Sequence, residues 1–398
     1  MPSAIPNGGL PAELHKLAKS DRLVLYRLLR RGLASQAELV AATSLSRPTV
    51  LAALTRLTAK GLAEVAPGHD GPSQVVGRRA HLYRLTARAG LAIGVEIGRR
   101  HINVVVMDAG HQRIVNLERR VIADADNDPL TVLKQAVDLV HMAIEEASSS
   151  SAVLGIAFGL PVPMTREGLV GGGTLLPAWA EIEPHHELTR VLSDCPVYVA
   201  NEADLGALGE YTFGWGEAKR DLTYVKLGTG IGGGIVLGGR LQRGSGGPTA
   251  EIGHVTLDYR GRRCPCGNRG CLERYAGGRA LLDSARGDGL EIEDIQSLVQ
   301  RALSGDVACR RILREAATMI GTAIGTLTNL SGPELVVLGG SLSAAGDILT
   351  GPLRIALDET ALTSAAKAVS IELARLGRWA SACGAVAFVF EHFTSRQT

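Results

Sequence analysis

The 398-residue chain has no run of about eighteen apolar residues without a charge, which argues against a membrane-spanning helix. Its first residues, Met-Pro-Ser-Ala-Ile-Pro-Asn-Gly-Gly, lack the basic and apolar regions of a secretion signal. Cysteines are few: six in all, three of them between Cys264 and Cys271. That grouping suits metal binding better than a disulfide framework, so a reducing, cytoplasmic setting is expected. Cys195, Cys309 and Cys383 stand alone in apolar contexts and are expected to be buried packing residues. Charge is scarce too, at 21% of residues against 45% hydrophobic, as in a globular chain with ample core.

The net charge of +2 conceals an asymmetry. Residues 1–90 hold 13 Lys/Arg and 5 Asp/Glu, whereas the remainder holds 29 and 35. A basic N-terminal module on an acidic body is the footprint of a polyanion reader. Apolar residues from Asp21 to Arg31 repeat at helical spacing and stop at Gly32. Ser35 can cap a second helix, Gln36–Thr43. After a turn at Ser44-Leu45, Ser46 can cap a third, with Pro48 near its start and its end at Lys60-Gly61. Leu62–Val65 and His81–Leu85 read as two strands of a wing. The pattern predicts a winged helix-turn-helix over residues 1–90 that binds double-stranded DNA. Ser46, Arg47 and Thr49 lie at the base-reading end of its recognition helix, and Arg56 and Lys60 are placed for phosphates. Arg78 and Arg79 sit at the wing tip.

The segment from Glu251 to Glu273 carries four candidate ligands for a soft divalent metal: His254, Cys264, Cys266 and Cys271. Four protein ligands would close a structural zinc site, with Glu251 and Glu273 beside it. In the body, residues Val95–Arg113 lie without a gap over Val225–Arg243: Gly98 falls on Gly228 and Gln112-Arg113 on Gln242-Arg243. Two strand–turn–strand units about 130 residues apart predict two similar lobes around a cleft. The second copy's turn contains Gly228, Thr229, Gly230 and Gly232, whose backbone N–H groups could cradle a phosphate. The first copy has Arg99, Arg100 and His101 at the matching place.

These residues resemble the ROK (repressor, open reading frame, kinase) family, in particular its winged-helix regulators, over nearly the whole length. Leu227–Ile235, Glu251–His254, Cys264–Glu273 and Val337–Ser341 carry the likeness. The resemblance implies an α/β fold: a winged helix-turn-helix, then a duplicated two-lobed, actin-like sugar-kinase domain with a zinc knuckle over 91–398. The first lobe would hold about 91–200 plus a C-terminal helix near 382–396, and the second about 201–381. It also implies a homodimer or homotetramer, a palindromic operator and a monosaccharide effector met by Asn201, Glu202, Glu251, His254 and Glu273.

Departures from the kinases in this family separate catalyst from sensor. Glu96-Ile97-Gly98-Arg99-Arg100 replaces an Asp-x-Gly-Gly-Thr-type phosphate turn, so the Gly228–Gly232 turn is read as vestigial. Glu202 replaces the Asp that acts as general base, and a shift of about 1 Å there can cost roughly 100-fold in rate. The expectation is a sugar-responsive repressor of carbohydrate-utilisation genes, without catalytic residues. The alternatives are an active ATP-dependent sugar kinase with a DNA-binding appendage, or a regulator answering to a phosphosugar or protein partner.

Overall fold

The computed structural model describes residues 14, 16–66, 81–122, 125–149, 151–165, 167–171, 175–216 and 221–395. Three helices open the chain: α1 (Lys19–Arg31), α2 (Gln36–Thr43) and α3 (Arg47–Ala59). Each start has a local cause. The Ser35 hydroxyl accepts from Glu38 N–H at 3.3 Å while Glu38 returns to the Ser35 N–H at 2.7 Å, a reciprocal capping box. Ser46 caps α3 by accepting from Thr49 N–H at 3.3 Å. Strand β1 (Ala34–Ser35), β2 (Ala63–Val65) and β3 (Leu82–Leu85) form a small sheet in the order β1-β3-β2. Val50, Ala53, Leu54 and Leu57 turn one face of α3 into the module's core. Arg78 and Arg79 lie outside the described residues.

The body holds two five-stranded sheets with the same order and the same directions. The first comprises β4 (Leu91–Ile97), β5 (His101–Asp108), β6 (Arg113–Arg120), β7 (Val153–Leu160) and β8 (Val197–Asn201), ordered β6-β5-β4-β7-β8. The second comprises β9 (Leu222–Leu227), β10 (Ile231–Leu237), β11 (Arg240–Leu241), β12 (Leu335–Gly339) and β13 (Ser370–Leu373), ordered β11-β10-β9-β12-β13. In both, the first three strands form an antiparallel meander and the last two join in parallel. The duplication visible in the sequence is thus a duplication of topology.

Helix α4 (Pro129–Ala147) covers the first sheet, and α5 (Pro177–Ala180) and α6 (Pro184–Val191) lead into β8. The second lobe carries α8 (Glu273–Ala276), α9 (Gly278–Gly287), α10 (Ile295–Leu303), α11 (Val307–Ser331), α12 (Asp347–Thr360) and α13 (Thr363–Ala368). Two helices run between the lobes: α7 (Glu202–Gly209) and the C-terminal α14 (Ala380–Ser395). They meet backbone to backbone, since a Cβ on Gly384 would overlap the Leu205 carbonyl. Helix α14 also carries the DNA-binding module. One apolar core joins Leu25, Leu28 and Leu29 of α1 to Phe388, Phe390 and Phe393, with Leu205 and Leu208 of α7 in the same cluster. No helix of the described residues is long and apolar enough to cross a membrane.

Candidate functional sites

Strands β4 and β9 belong to different sheets, and equivalent residues of the two, Glu96 and Lys226, meet through their side chains. The Lys226 ammonium lies 2.5 Å from Glu96 Oε1 and 2.7 Å from Glu202 Oε2. Glu96 is 3% exposed, Lys226 13% and Glu202 19%, so this is an enclosed charge cluster. Asn103 donates to the other Glu96 oxygen at 2.9 Å and to the Arg378 carbonyl at 3.0 Å, and His101 approaches Glu96 at 3.6 Å. Burial works against every charge here, but the partners outweigh it. Glu96 is held below the usual carboxylate range by Lys226 and His101, and Lys226 is raised by Glu202 and Glu96. The cluster is therefore ionised, which suits a buried pair with further hydrogen bonds.

Of the expected sugar-facing residues, Glu202 belongs to this cluster, and the side chains of two others are already engaged. Asn201 caps α7, its oxygen accepting from Ala203 and Asp204 N–H at 2.8 and 3.2 Å, while its nitrogen donates to the Val162 carbonyl at 2.9 Å. Glu273 Oε2 accepts from Ile231 N–H at 2.7 Å, tying α8 to the glycine turn. Glu251 is half-buried, and its carboxyl is pushed up to about 7 by loss of solvent and by the charge of Glu273. Asp204, two residues along α7 from Glu202, is likewise pushed up to about 7 by burial, with Arg243 opposing and Glu251 adding to the rise.

The glycine turn is less open than its composition implies. Gly228 N–H donates to the Gly230 carbonyl at 3.0 Å, and the Gly228 and Thr229 carbonyls accept from the N–H groups of Gly278 and Arg279 at 3.0 and 3.1 Å. Beside it a cavity of about 160 Å³ is lined by Arg99, Arg100, Asp126, Thr229, Arg279 and Ile295, among others. Arg99 and Arg279 both reach Asp126, at 3.1 and 2.9 Å. A cavity near 150 Å³ suits a molecule the size of benzene, far smaller than a nucleotide.

The four candidate ligands come together. His254 Nδ1, Cys264 Sγ, Cys266 Sγ and Cys271 Sγ all lie within 4.8 Å of one another. Cys266 and Cys271 sulfurs are 3.6 Å apart, and His254 Nδ1 is 3.7 Å from Cys264 Sγ. Zinc–sulfur bonds of about 2.3 Å give a tetrahedral edge of about 3.8 Å, so the donor set fits such an ion. The backbone is folded to suit: Gly270 has φ +66°, and a Cβ there would overlap the Asp258 carbonyl. Glu251 stands three residues before His254 and Glu273 two after Cys271, so the cluster can hold a metal ion that braces both carboxylates.

On the winged module, Ser46, Arg47 and Lys60 are exposed, and Thr49 is half-buried beside Ser46. Arg56, expected to meet phosphates, already has a partner within the module. Its guanidinium is bidentate to the buried Asp21, at 2.6 and 3.0 Å, and braces α3 against α1. The i, i+4, i+7 face that buries Val50, Leu54 and Leu57 puts Leu51 and Thr55 outside, and Leu51 is 49% exposed. Leu51 was not among the residues expected from sequence, although its position on that face could have been read off the helical period.

The sequence matches the ROK family over residues 92–392 and a winged helix-turn-helix DNA-binding family over 17–64. The chain belongs to the ROK family. Within it, a xylose repressor of Caldicellulosiruptor bescii is 29% identical, over 96% of this chain and 98% of that protein. A glucokinase of Streptomyces coelicolor is 30% identical over 67% of this chain and 86% of its own. Among solved structures, a ROK family transcriptional regulator, a homologue of the E. coli MLC protein, superposes with a TM-score of 0.72. It is 22% identical and the match covers 94% of this chain and 96% of that one, so it supports the fold.

In this ROK chain Lys226 is the member of the charge cluster that sequence reasoning did not single out. Its signal was in the repeat itself, where Glu96 lies over Lys226. Opposite charges at equivalent positions of two facing hairpins are placed to pair across the cleft.

Proposed function

We propose that the chain is a sugar-responsive transcriptional regulator, a repressor of carbohydrate-utilisation genes whose hold on DNA is set by a monosaccharide in the cleft. The observation that carries this reading is the position of α14, packed on α7 at the cleft and on α1 of the DNA-binding module. A sugar bound among Asn201, Glu202, Glu251, His254 and Glu273 meets the N-terminal end of α7. Any change in lobe closure there reaches the recognition helix through α14. A few kcal/mol of preference for one lobe arrangement is enough to shift occupancy. Two-fold dimers would set two recognition helices on half-sites of a palindromic operator, with Arg47 and Thr49 at base edges and Lys60 on phosphates.

In this reading the kinase chemistry is lost. A general base must accept the proton of the attacking hydroxyl, and Lys226 occupies a Glu202 oxygen at 2.7 Å. Arg99 and Arg100 narrow the place where a nucleotide's phosphates would lie. Zinc is the ion proposed for His254, Cys264, Cys266 and Cys271, because three thiolates and an imidazole favour it in a closed structural site. With Nδ1 turned to the cluster, His254 keeps Nε2 for a sugar hydroxyl.

The test is a thermal-shift screen with D-xylose, D-glucose and other monosaccharides, followed by operator binding with and without the stabilising sugar. A ligand that binds only the native state must raise the melting temperature. No shift with any monosaccharide would sink the reading. The glycine turn and the glucokinase relatives keep one second reading in play, an active sugar kinase. ATP-dependent turnover in a coupled assay would establish it.

A further inference from the structure

The ion-paired cluster has features that loss of catalysis does not require. A disused base could drift in sequence without acquiring a partner. Here a lysine reaches Glu202 from β9 while a second carboxylate, Glu96, holds that lysine from the opposite lobe. Glu96 is itself fixed by Asn103, which is fully buried and anchored on the Arg378 carbonyl just before α14. The result is a chain of contacts from the root of α14, through both hairpins, to one oxygen of Glu202.

We infer that Lys226 is a positioning residue for sugar recognition, whose ammonium, clasped by Glu96, fixes the Glu202 carboxylate so that it accepts a sugar hydroxyl without a metal ion. This rests on the proposed sugar site and says how one of its groups is made ready.

The argument is steric and electrostatic. Glu202 has one more rotatable bond than an aspartate, so alone it would sample several carboxylate positions. An ammonium at 2.7 Å removes that freedom before ligand arrives, which is the condition for tight binding by few groups. The ammonium also neutralises charge. It meets both Glu96 and Glu202, which would otherwise lack that ammonium, and a neutral sugar offers no charge in its place. Lysine can serve because its point charge contacts two carboxylates from opposite sides. The pair joins the first sheet, the second sheet and α7, so a hydroxyl that draws on Glu202 also loads the contact between lobes.

The experiment measures affinity for the most stabilising monosaccharide of the D-xylose and D-glucose screen, using full-length protein. Lys226→Gln should lower sugar affinity at least tenfold in protein that still folds and binds operator. Because Lys226→Gln leaves Glu96 buried and unpaired, the paired variant Lys226→Gln, Glu96→Gln is measured too, with the same expectation. Glu202→Gln should weaken sugar binding in wild type and add almost nothing to Lys226→Gln, since the two act as one unit. A merely structural brace would give a lower melting temperature with sugar affinity unchanged, and would overturn the inference, as would additive losses. If no monosaccharide stabilises even the wild type, the sugar-site reading and this inference fall together. If wild type and Lys226→Gln bind sugar alike, only this inference falls.

Discussion

At the scale of single residues, side chains that look alike in the sequence divide by what they already touch. Arg47 and Arg56 lie on the same helix, yet Arg47 is exposed at its N-terminal end and Arg56 is bound to Asp21. Arg47→Ala should weaken operator binding by about 1–3 kcal/mol in a mobility-shift or anisotropy titration if it reads a base. Arg56→Ala should instead lower the melting temperature, because it strands the buried Asp21 carboxylate. An unchanged melting temperature would return Arg56 to the DNA. Glu251→Ala should abolish the sugar-induced change in operator binding and leave basal DNA binding intact; retained induction would remove Glu251 from the ligand set. The grouping of the four candidate metal ligands was legible in sequence because all four fall between positions 254 and 271. Lys226 was harder to see, since its meaning depends on Glu96, 130 positions away.

At the scale of elements, local chemistry made the N-terminal helices readable. Ser35 and Ser46 mark the starts of α2 and α3, and Gly32 the end of α1, and the structure begins and stops these helices at the adjoining residues. The first sheet was readable from its apolar runs, and the repeat carried that reading to β9 and β10. Strands β12 and β13 complete the second sheet through parallel crossovers around α11, α12 and α13, and nothing in their short apolar segments specifies a neighbour. The knuckle is the element most exposed to test: Cys266→Ser should release metal, measured by elemental analysis, and lower the melting temperature. Helix α7 gives a pH prediction. Asp204 and, facing it, Glu251 are both held at about 7, above the ordinary carboxylate values of about 3.9 and 4.3. The native state therefore binds their protons more tightly than the unfolded chain does. The stability they add is complete below those ordinary values and is lost as pH rises through about 7. The melting temperature should fall as pH rises from about 4 to about 7 and level off above that, and Asp204→Asn should flatten that slope; an equal slope in the variant would assign it to other groups.

At the scale of the whole molecule, the sequence shows two modules and the structure shows where they join. The junction was not legible because it pairs residues near 26–32 with residues near 388–393, and no periodicity links the two. Tyr26 meets Phe393 edge to face at 6.2 Å, and Arg30 reaches Glu391 at 3.4 Å. His111, in the β5–β6 turn, is the tightest part of the joint. Its Nε2 lies 2.7 Å from the Leu29 carbonyl near the end of α1, and its ring stacks on Phe390 at 5.3 Å. It also meets Phe213, just beyond α7, edge to face at 5.1 Å. One imidazole thus touches the DNA-binding module, α14 and the segment leading from α7. Burial lowers its pKa, so the ring is neutral at pH 7 and acts by shape and one hydrogen bond, not by charge. His111→Ala should leave both separate functions standing: the sugar still stabilises the protein, and operator still binds without sugar. What should fail is the coupling, so that saturating sugar changes operator affinity several-fold less than in wild type. Loss of packing and of the Leu29 contact should cost about 1–3 kcal/mol of stability. Operator and sugar titrations at a temperature where the variant is fully folded separate the two effects. Full sugar-induced release in His111→Ala would show that the signal bypasses this joint and passes through α14 and α1 elsewhere.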